Sequence, residues 1–206
     1  MKTAVNKSRL ILASKSPRRR NLLEQAGVVF SVIPSSLDEN SIPLSSPKTY
    51  VRRLAEAKAK DVSLRYTDAW VIGADTMVLI NDTLLGKPRS WSEARHMLRI
   101  LSGTSHQVLT GYCICCETAG RLFSETVQTD VFIKELTDQQ IDWYIDSGEP
   151  FDKAGAYAIQ GIGTFIVKHI HGSYTNVVGL PVCEVLEFLI KEEVVKLELN
   201  PQQLTI

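Results

Sequence analysis

Leu10-Ile-Leu-Ala-Ser-Lys-Ser-Pro-Arg-Arg-Arg-Asn-Leu-Leu23 is the stretch on which the reading of this chain turns. Its four leading apolar residues, Leu10 to Ala13, predict a short buried strand. A tight polar turn follows, and a helix opens at Pro17. Ser16 suits the N-cap because its side-chain oxygen can accept a backbone N–H, and proline at the first helical position leaves no N–H unpaired. The first helical turn carries unpaired N–H groups and a partial positive charge. Ser14 and Ser16 add hydroxyls there, and Arg18, Arg19 and Arg20 add three cations where the helix dipole disfavours them. A local rule broken in this way points to function. The arrangement suits the gripping of an anion, phosphate above all. The competing reading, a capped surface helix with solvated arginines, loses ground only in combination with what lies downstream.

Working outward, 206 residues predict a single domain of moderate size, with room for two lobes. At 44% hydrophobic residues the chain can bury a substantial core. Lys and Arg total 23 against 23 Asp and Glu, which argues against a general nucleic-acid binder, whose surface is basic overall. Any positive field is therefore local, in a cleft. No run is apolar enough to span a bilayer, and Met1 to Ser8 lacks a signal-peptide core. The expectation is a cytoplasmic protein with no membrane partner. Cys113, Cys115 and Cys116 crowd one strand-like segment with a spacing unlike a zinc site and read as small apolar fillers, with Cys183 apart. His169 and His171 share a strand face without a third ligand nearby, which argues against a histidine metal pair.

Along the chain, Val28 to Ile33 reads as a second strand, and Asp38-Glu39 places two carboxylates on a serine-rich loop. Ser46-Pro47 starts a helix expected to reach about Tyr66, with Lys58 set among Ala55, Ala57 and Ala59. Ala69 to Ile80 is a near-continuous apolar run, as in a strand covered on both faces. Asp75 interrupts it, and a buried acid is costly unless paired, hydrated or bound to a cation. Asn81-Asp82 predicts a hairpin turn, and Gly86-Lys87-Pro88-Arg89 a rigid cationic loop. Ser90 caps a helix with Glu93 in the capping-box position and Met97, Leu98 and Leu101 as its stripe, stopped by Gly103. Two long strands follow from Ser105 to Lys134 around Ala119-Gly120. Thr137 caps a helix with Ile141, Trp143, Tyr144 and Ile145 as apolar positions. Phe151 to Gly163 is glycine-rich, allowing close backbone approach to a ligand. Thr164 to Ile170 is a strand, and Gly179-Leu-Pro181 opens a last helix. The tail past Glu198 has few core residues. The pattern is mixed α/β.

These stretches together resemble the Maf family of nucleoside triphosphate pyrophosphatases. The matching pieces are Leu12-Ala-Ser-Lys-Ser-Pro-Arg-Arg19, Asp38-Glu39, Leu54-Ala-Glu-Ala-Lys-Ala59, Gly73-Ala-Asp-Thr76, Gly86-Lys-Pro88 and Leu101-Ser-Gly103. His106-Gln-Val-Leu-Thr-Gly111, Asp152-Lys-Ala-Gly-Ala-Tyr-Ala-Ile-Gln-Gly161 and Val178-Gly-Leu-Pro181 continue them in the family's order. The resemblance implies one domain over 1–206, with its core about 9–190 and a peripheral C-terminal tail. It implies an elongated mixed-sheet α/β fold, similar to that of inosine triphosphatases, with two lobes around a central cleft. It implies hydrolysis of a nucleoside triphosphate to monophosphate and pyrophosphate with a divalent metal, a house-cleaning role with a link to cell-division arrest, and compatibility with a homodimer. By position, the catalytic acid falls on Asp75, and phosphate-binding and metal-site residues on Ser14, Ser16, Arg19, Glu39, Lys58 and Lys87. One branch of the family acts on dTTP and UTP. It carries Arg after Ser-Pro, Thr after the catalytic Asp and Gln before Gly, here Arg18, Thr76 and Gln160.

The residues by themselves suggest the same chemistry. Water attack at the α-phosphorus develops charge on the leaving oxygens, so catalysis calls for aimed cations and a base that positions the water. Arg19, Lys58 and Lys87 supply cations. Asp75 and Glu39 are hard oxygen ligands that Mg²⁺ or Mn²⁺ would accept. Whether Asp75 takes the proton or chiefly holds the metal stays open at this level. Uracil and thymine present an N–H between two carbonyls, which a carboxamide such as Gln160 can match. An amide can flip, so a fixed donor such as Arg18 or Thr76 is expected to lock it. Two alternatives are a 7-methyl-GTP pyrophosphatase and a non-catalytic nucleotide sensor that inhibits septum formation.

Overall fold

The computed structural model describes residues 4–6 and 8–197. In chain order the elements are β1 (Ala4–Asn6), β2 (Leu10–Leu12), α1 (Pro17–Gln25), β3 (Ser31–Val32) and α2 (Pro47–Ser63). Then come β4 (Trp70–Ile80), β5 (Thr83–Leu85), α3 (Trp91–Leu101), β6 (Ser105–Cys116), β7 (Arg121–Ile133) and α4 (Asp138–Asp146). The last are β8 (Val167–His171), α5 (Tyr174–Val178), α6 (Val182–Lys191) and β9 (Val195–Leu197). A mixed sheet runs β3-β2-β4-β6-β7-β8, with β5 pairing β4. The pairings β2–β3 and β2–β4 are parallel, and the rest of this sheet is antiparallel. β1 and β9 pair with each other as a separate antiparallel ladder.

Three buried clusters hold the fold together. Leu10, Leu12, Ile72, Tyr112, Leu180 and Val185 pack between the sheet, α1 and α6. Val78, Leu98, Leu101, Val131, Ile141 and Tyr144 pack beneath α3 and α4. Ile11, Val71, Ala55, Ala59, Cys113 and Cys115 lie between the opposite sheet face and α2. The period-2 alternation of β4 therefore sends Val71, Gly73 and Asp75 toward α2, and Ile72, Ala74 and Thr76 toward α1 and α6. The helix lies unusually close. A Cβ built on Gly73 would stand 2.3 Å from the Ala55 carbonyl, and one on Gly111 2.3 Å from that of Val51.

Several expectations are corrected at their edges. The Val28–Ile33 strand contracts to Ser31–Val32 because its partner β2 offers only three residues, although Ile33 still donates its N–H to the Leu12 carbonyl. α2 ends at Ser63, and the chain then turns through Tyr66. β8 starts at Val167, since Thr164 and Phe165 belong to a 3-10 turn, Gly161–Phe165. Trp143 is 58% exposed, because Ile141, Tyr144 and Ile145 alone carry the inward face of α4. Ser90 accepts the Glu93 N–H as expected, but the Glu93 carboxylate accepts from the N–H of Arg89, one residue before the cap. Helix α5 and strands β1 and β9 are additions. The hairpin turn at Asn81 and Asp82 has both residues at positive φ, as a two-residue turn with the strands' own twist demands. The three strand cysteines are buried. The tail past Glu198 lies outside the described residues. Among those described, no helix is long and apolar enough to cross a membrane.

Candidate active site

The N-terminus of α1, the middle of β4, the loop after β5 and the glycine-rich segment before β8 surround one cleft of about 640 Å³. Its walls include Ser16, Arg18, Arg19, Glu39, Asp75, Thr76, Lys87 and Gln160. Ser14 and Lys58 stand just behind. Every sequence-predicted site residue is thus brought to one place.

The acid centre comes from the face of β4 that α2 covers. Lys58 lies on α2, and its ammonium is 2.6 Å from Asp75 Oδ1 and 2.7 Å from Glu39 Oε1. The Lys58 and Asp75 side chains are 13% and 12% exposed, whereas Glu39, on a 3-10 turn at Glu39–Ser41, is 57% exposed. This answers how an acid is tolerated in an oily strand: a lysine lying along alanines delivers its charge to it. The same ammonium gathers both carboxylates, so Lys58 is first a tether of the two acids. Among the described residues no group of three or more His, Cys, Asp or Glu side chains is arranged to hold a metal ion.

The cation centre comes from the other face. Ser16 caps α1 as predicted, its hydroxyl accepting from the Arg19 N–H. Arg19 is locked at three points. Its Nε donates to the Gly179 carbonyl at 2.7 Å, Nη1 to Ser14 Oγ at 3.1 Å and Nη2 to Thr76 Oγ1 at 3.0 Å. Burial pulls its guanidinium below the ordinary value, while Asp75 pulls upward. A guanidinium remains charged through such a shift. Ser14 Oγ also accepts the Ser16 N–H, which leaves its hydrogen for a ligand. Arg20 turns away to Glu24 at 2.7 Å and plays no part. Lys87 is exposed on the cleft wall and has no ion-pair partner among the described residues.

The glycine-rich segment forms the far wall. Arg18 Nη1 meets Asp152 Oδ2 at 2.6 Å, and Nη2 meets the Asp152 carbonyl at 3.1 Å. Asp152 also takes Lys153 Nζ at 2.6 Å. Burial raises the Asp152 carboxyl, but Lys153 and Arg18 outweigh it and hold it below the ordinary value. Gln160 Nε2 donates to Tyr174 OH at 3.0 Å. The donors expected to lock Gln160 are therefore engaged elsewhere, Arg18 on Asp152 and Thr76 on Arg19, and Tyr174 is the residue that touches the amide. Glu149, read from sequence only as part of a helix stop, accepts the N–H groups of Ile162 at 3.1 Å and Gly163 at 2.8 Å. It thereby pins the turn that follows Gln160. A Cβ on Gly161, at φ +67°, would fall 2.0 Å from Glu149 Oε1. In the sequence only the glycine itself, a residue free to take positive φ, hints at this contact.

The family model for Maf-like proteins matches residues 9–192. A dTTP/UTP pyrophosphatase of Syntrophus aciditrophicus is 49% identical over 181 residues, covering 88% of each chain. The dTTP/UTP pyrophosphatase of Syntrophotalea carbinolica is 48% identical, covering 88% of this chain and 84% of its own. The one of Geobacter sulfurreducens is 47% identical, over 90% and 97%. Among solved structures, a HAM1 protein from Coxiella burnetii aligns with a TM-score of 0.45 at 15% identity, over 90% of this chain and 99% of that one. With the family's pattern matched from the strand before α1 to the helix that closes the main fold, this chain belongs to the Maf-like family.

Proposed function

We propose that the chain is a nucleoside triphosphate pyrophosphatase acting on dTTP and UTP, releasing pyrophosphate and leaving the nucleoside monophosphate. One observation carries the reading: a lysine-tethered acid, Asp75, shares a cleft with the locked Arg19, the unpaired Lys87 and a carboxamide, Gln160. Relatives bearing the name dTTP/UTP pyrophosphatase support it.

In the proposed reaction a water oxygen attacks the α-phosphorus. The bond from that phosphorus to the bridging oxygen breaks, and pyrophosphate leaves with the electron pair. Lys58 holds Asp75 through Oδ1, which leaves the second carboxylate oxygen to orient the water and receive its proton. The two uncommitted Arg19 N–H groups and the Lys87 ammonium face the charge that gathers on the leaving oxygens. Gln160 reads the base, its carbonyl accepting the ring N–H of uracil or thymine while its amide group contacts Tyr174.

The donor set fits a divalent cation of the Mg²⁺ type. Such an ion takes one or two carboxylates and completes its shell with water and substrate phosphate, and the Lys58 ammonium draws the Asp75 and Glu39 carboxylates to one neighbourhood, each with its second oxygen free of that lysine. The charge count also leaves room for it. Five basic and four acidic side chains line the cleft, with Lys58 behind, against a triphosphate of roughly four negative charges. When bound, the ion would screen phosphate oxygens and acidify water.

The test is pyrophosphate release from a panel of dTTP, UTP, dCTP, dGTP and 7-methyl-GTP, with Mg²⁺ or Mn²⁺, using wild type and Asp75→Asn. Expected are turnover of dTTP and UTP by wild type and a loss of roughly 10³-fold or more in the variant, with its folded state verified by circular dichroism. Near-normal turnover by Asp75→Asn, or a preference for 7-methyl-GTP, overturns the assignment.

A further inference from the structure

The Arg19 guanidinium sits at the head of a line of hydroxyls that runs away from the cleft into the sheet. Arg19 Nη2 donates to Thr76 Oγ1 at 3.0 Å, Thr76 Oγ1 is 2.9 Å from Thr110 Oγ1, and Thr110 Oγ1 is 3.1 Å from the Asn176 carbonyl. Thr76 on β4 and Thr110 on β6 are register partners. Their side chains meet on one face, the arrangement in which threonines bond across an antiparallel pair. Thr110 and Asn176 have no exposed surface. Asn176 is itself anchored, its Nδ2 donating to the Val108 carbonyl at 3.2 Å and to Thr129 Oγ1 at 2.9 Å.

Each hydroxyl owns one hydrogen, which limits the directions open to the line. A carbonyl only accepts, so Thr110 gives its hydrogen to Asn176. Otherwise two lone pairs would face each other at 3.1 Å in a buried place. The Thr76 oxygen accepts from Arg19, which has donors only, and the Thr76 hydrogen lies between the Thr110 oxygen at 2.9 Å and the Gly179 carbonyl at 3.3 Å. Thr76 thus has no hydrogen left for anything in the cleft, and its lone pair is turned to the arginine.

We propose that Thr110, backed by Asn176, is a positioning residue for Arg19. The relay fixes the guanidinium plane, so that the two N–H groups not taken by Gly179, Ser14 and Thr76 face the phosphate chain. This rests on the reading of Arg19 as a phosphate ligand given above. It predicts that Thr110 acts on the phosphate end and leaves base choice alone.

Thr110→Val keeps the volume, removes the hydroxyl and sets a methyl against Thr76. Thr110→Ser keeps the relay. Expected for the valine variant is a fall in kcat/KM of roughly tenfold to a hundredfold, equal for dTTP, UTP and dCTP. The serine variant stays within about twofold of wild type. A second readout needs no turnover: in nitrogen-15 NMR the Arg19 Nη groups of wild type and the serine variant rotate slowly, and those of the valine variant rotate freely. Should Thr110→Val fail to fold, Thr110→Ala makes the same deletion without the methyl contact and is read the same way. Wild-type kcat/KM and slow Arg19 rotation in the variants lacking the hydroxyl overturn the relay. So does a serine variant as impaired as the valine one, since packing would then be the cause. A wild-type protein that releases no pyrophosphate refutes the reading of the site instead, and the Arg19 resonances then decide the relay alone.

Discussion

Gly111→Ala tests whether the close seat of α2 on the sheet sets the acid centre. The added Cβ would stand 2.3 Å from the Val51 carbonyl oxygen and 2.5 Å from the Arg52 nitrogen. Both are helix backbone, so no side-chain rotation relieves the clash. Moving from 2.3 Å to the 3.0 Å below which real Cβ contacts essentially never fall displaces helix or strand by 0.7 Å. Lys58 lies about two turns further along the same helix, with bonds of 2.6 and 2.7 Å to Asp75 and Glu39. Overpacking of this kind costs about 1–3 kcal/mol. For a chain of this size that corresponds to a melting temperature lower by about 2–12 °C. Misplacing a positioned group by nearly 1 Å reduces turnover by up to roughly a hundredfold. Calorimetry and steady-state pyrophosphate release measure the two effects on one preparation. Gly86→Ala is the control for stability: its Cβ would meet nothing within 4 Å, and the expected change is within about 0.5 kcal/mol. A Gly111→Ala protein that melts with wild type and keeps its kcat/KM would refute the reasoning, because the helix would then have room that the geometry denies it.

Gln160→Glu replaces the amide by an acceptor-only carboxylate. The ratio of kcat/KM for dTTP over dCTP should change by roughly tenfold or more, and equal losses on all nucleotides would show that Gln160 does not read the base. His106 is 3% exposed, its Nε2 lies 2.6 Å from Tyr157 OH, and its Nδ1 has no partner. Burial holds it down to about 4 from the ordinary 6.5, so between these values the unfolded chain binds a proton that the folded one refuses. Stability is full above pH 6.5 and declines as pH falls toward 4, by about 3 kcal/mol from this group. Urea unfolding of wild type and His106→Gln at pH 7.5 and 4.5 measures it, and equal pH dependence in both proteins would contradict the assignment.

The fold was legible where local signals agree. Ser16 and Pro17, Ser90, and Thr137 with Gln140 announce helix starts through backbone chemistry that needs no tertiary partner, and the structure has helices there. The long strands were legible from apolar runs. β1, β9 and α5 were not, because three to five residues carry no period to read and are held by distant partners. The candidate site was legible as a set of residues but not as a set of bonds. Lys58 looked like a phosphate ligand because sequence cannot show that α2 crosses β4 at the acid, and Thr76 looked like a donor because its proton count depends on Thr110. Glycines within strands mark places where another backbone comes close. Gly73 and Gly111 carried that signal, although nothing in it names α2 as the backbone that comes close.

Asp75 and Thr76 are neighbours in one strand, and alternation turns them to opposite faces. The acid belongs to a system of Lys58, Glu39 and α2. The threonine belongs to a system of Arg19, Thr110, Asn176 and α5. These two polar systems share only a peptide bond, so each can be satisfied on its own, and neither draws the acid and the guanidinium into a salt bridge with each other. That separation matters for the chemistry proposed here. An arginine paired directly to the acid would neutralise the base and blunt the cation in one contact. With Asp75 paired to a lysine behind it and Arg19 bonded only to oxygens of neutral groups, the guanidinium keeps its full charge for a phosphate, and the acid keeps one carboxylate oxygen free of its lysine. A Gly-Ala-Asp-Thr strand crossing from a helix-covered face to a hydroxyl-lined one is a direct way to hold opposite charges side by side without letting them cancel.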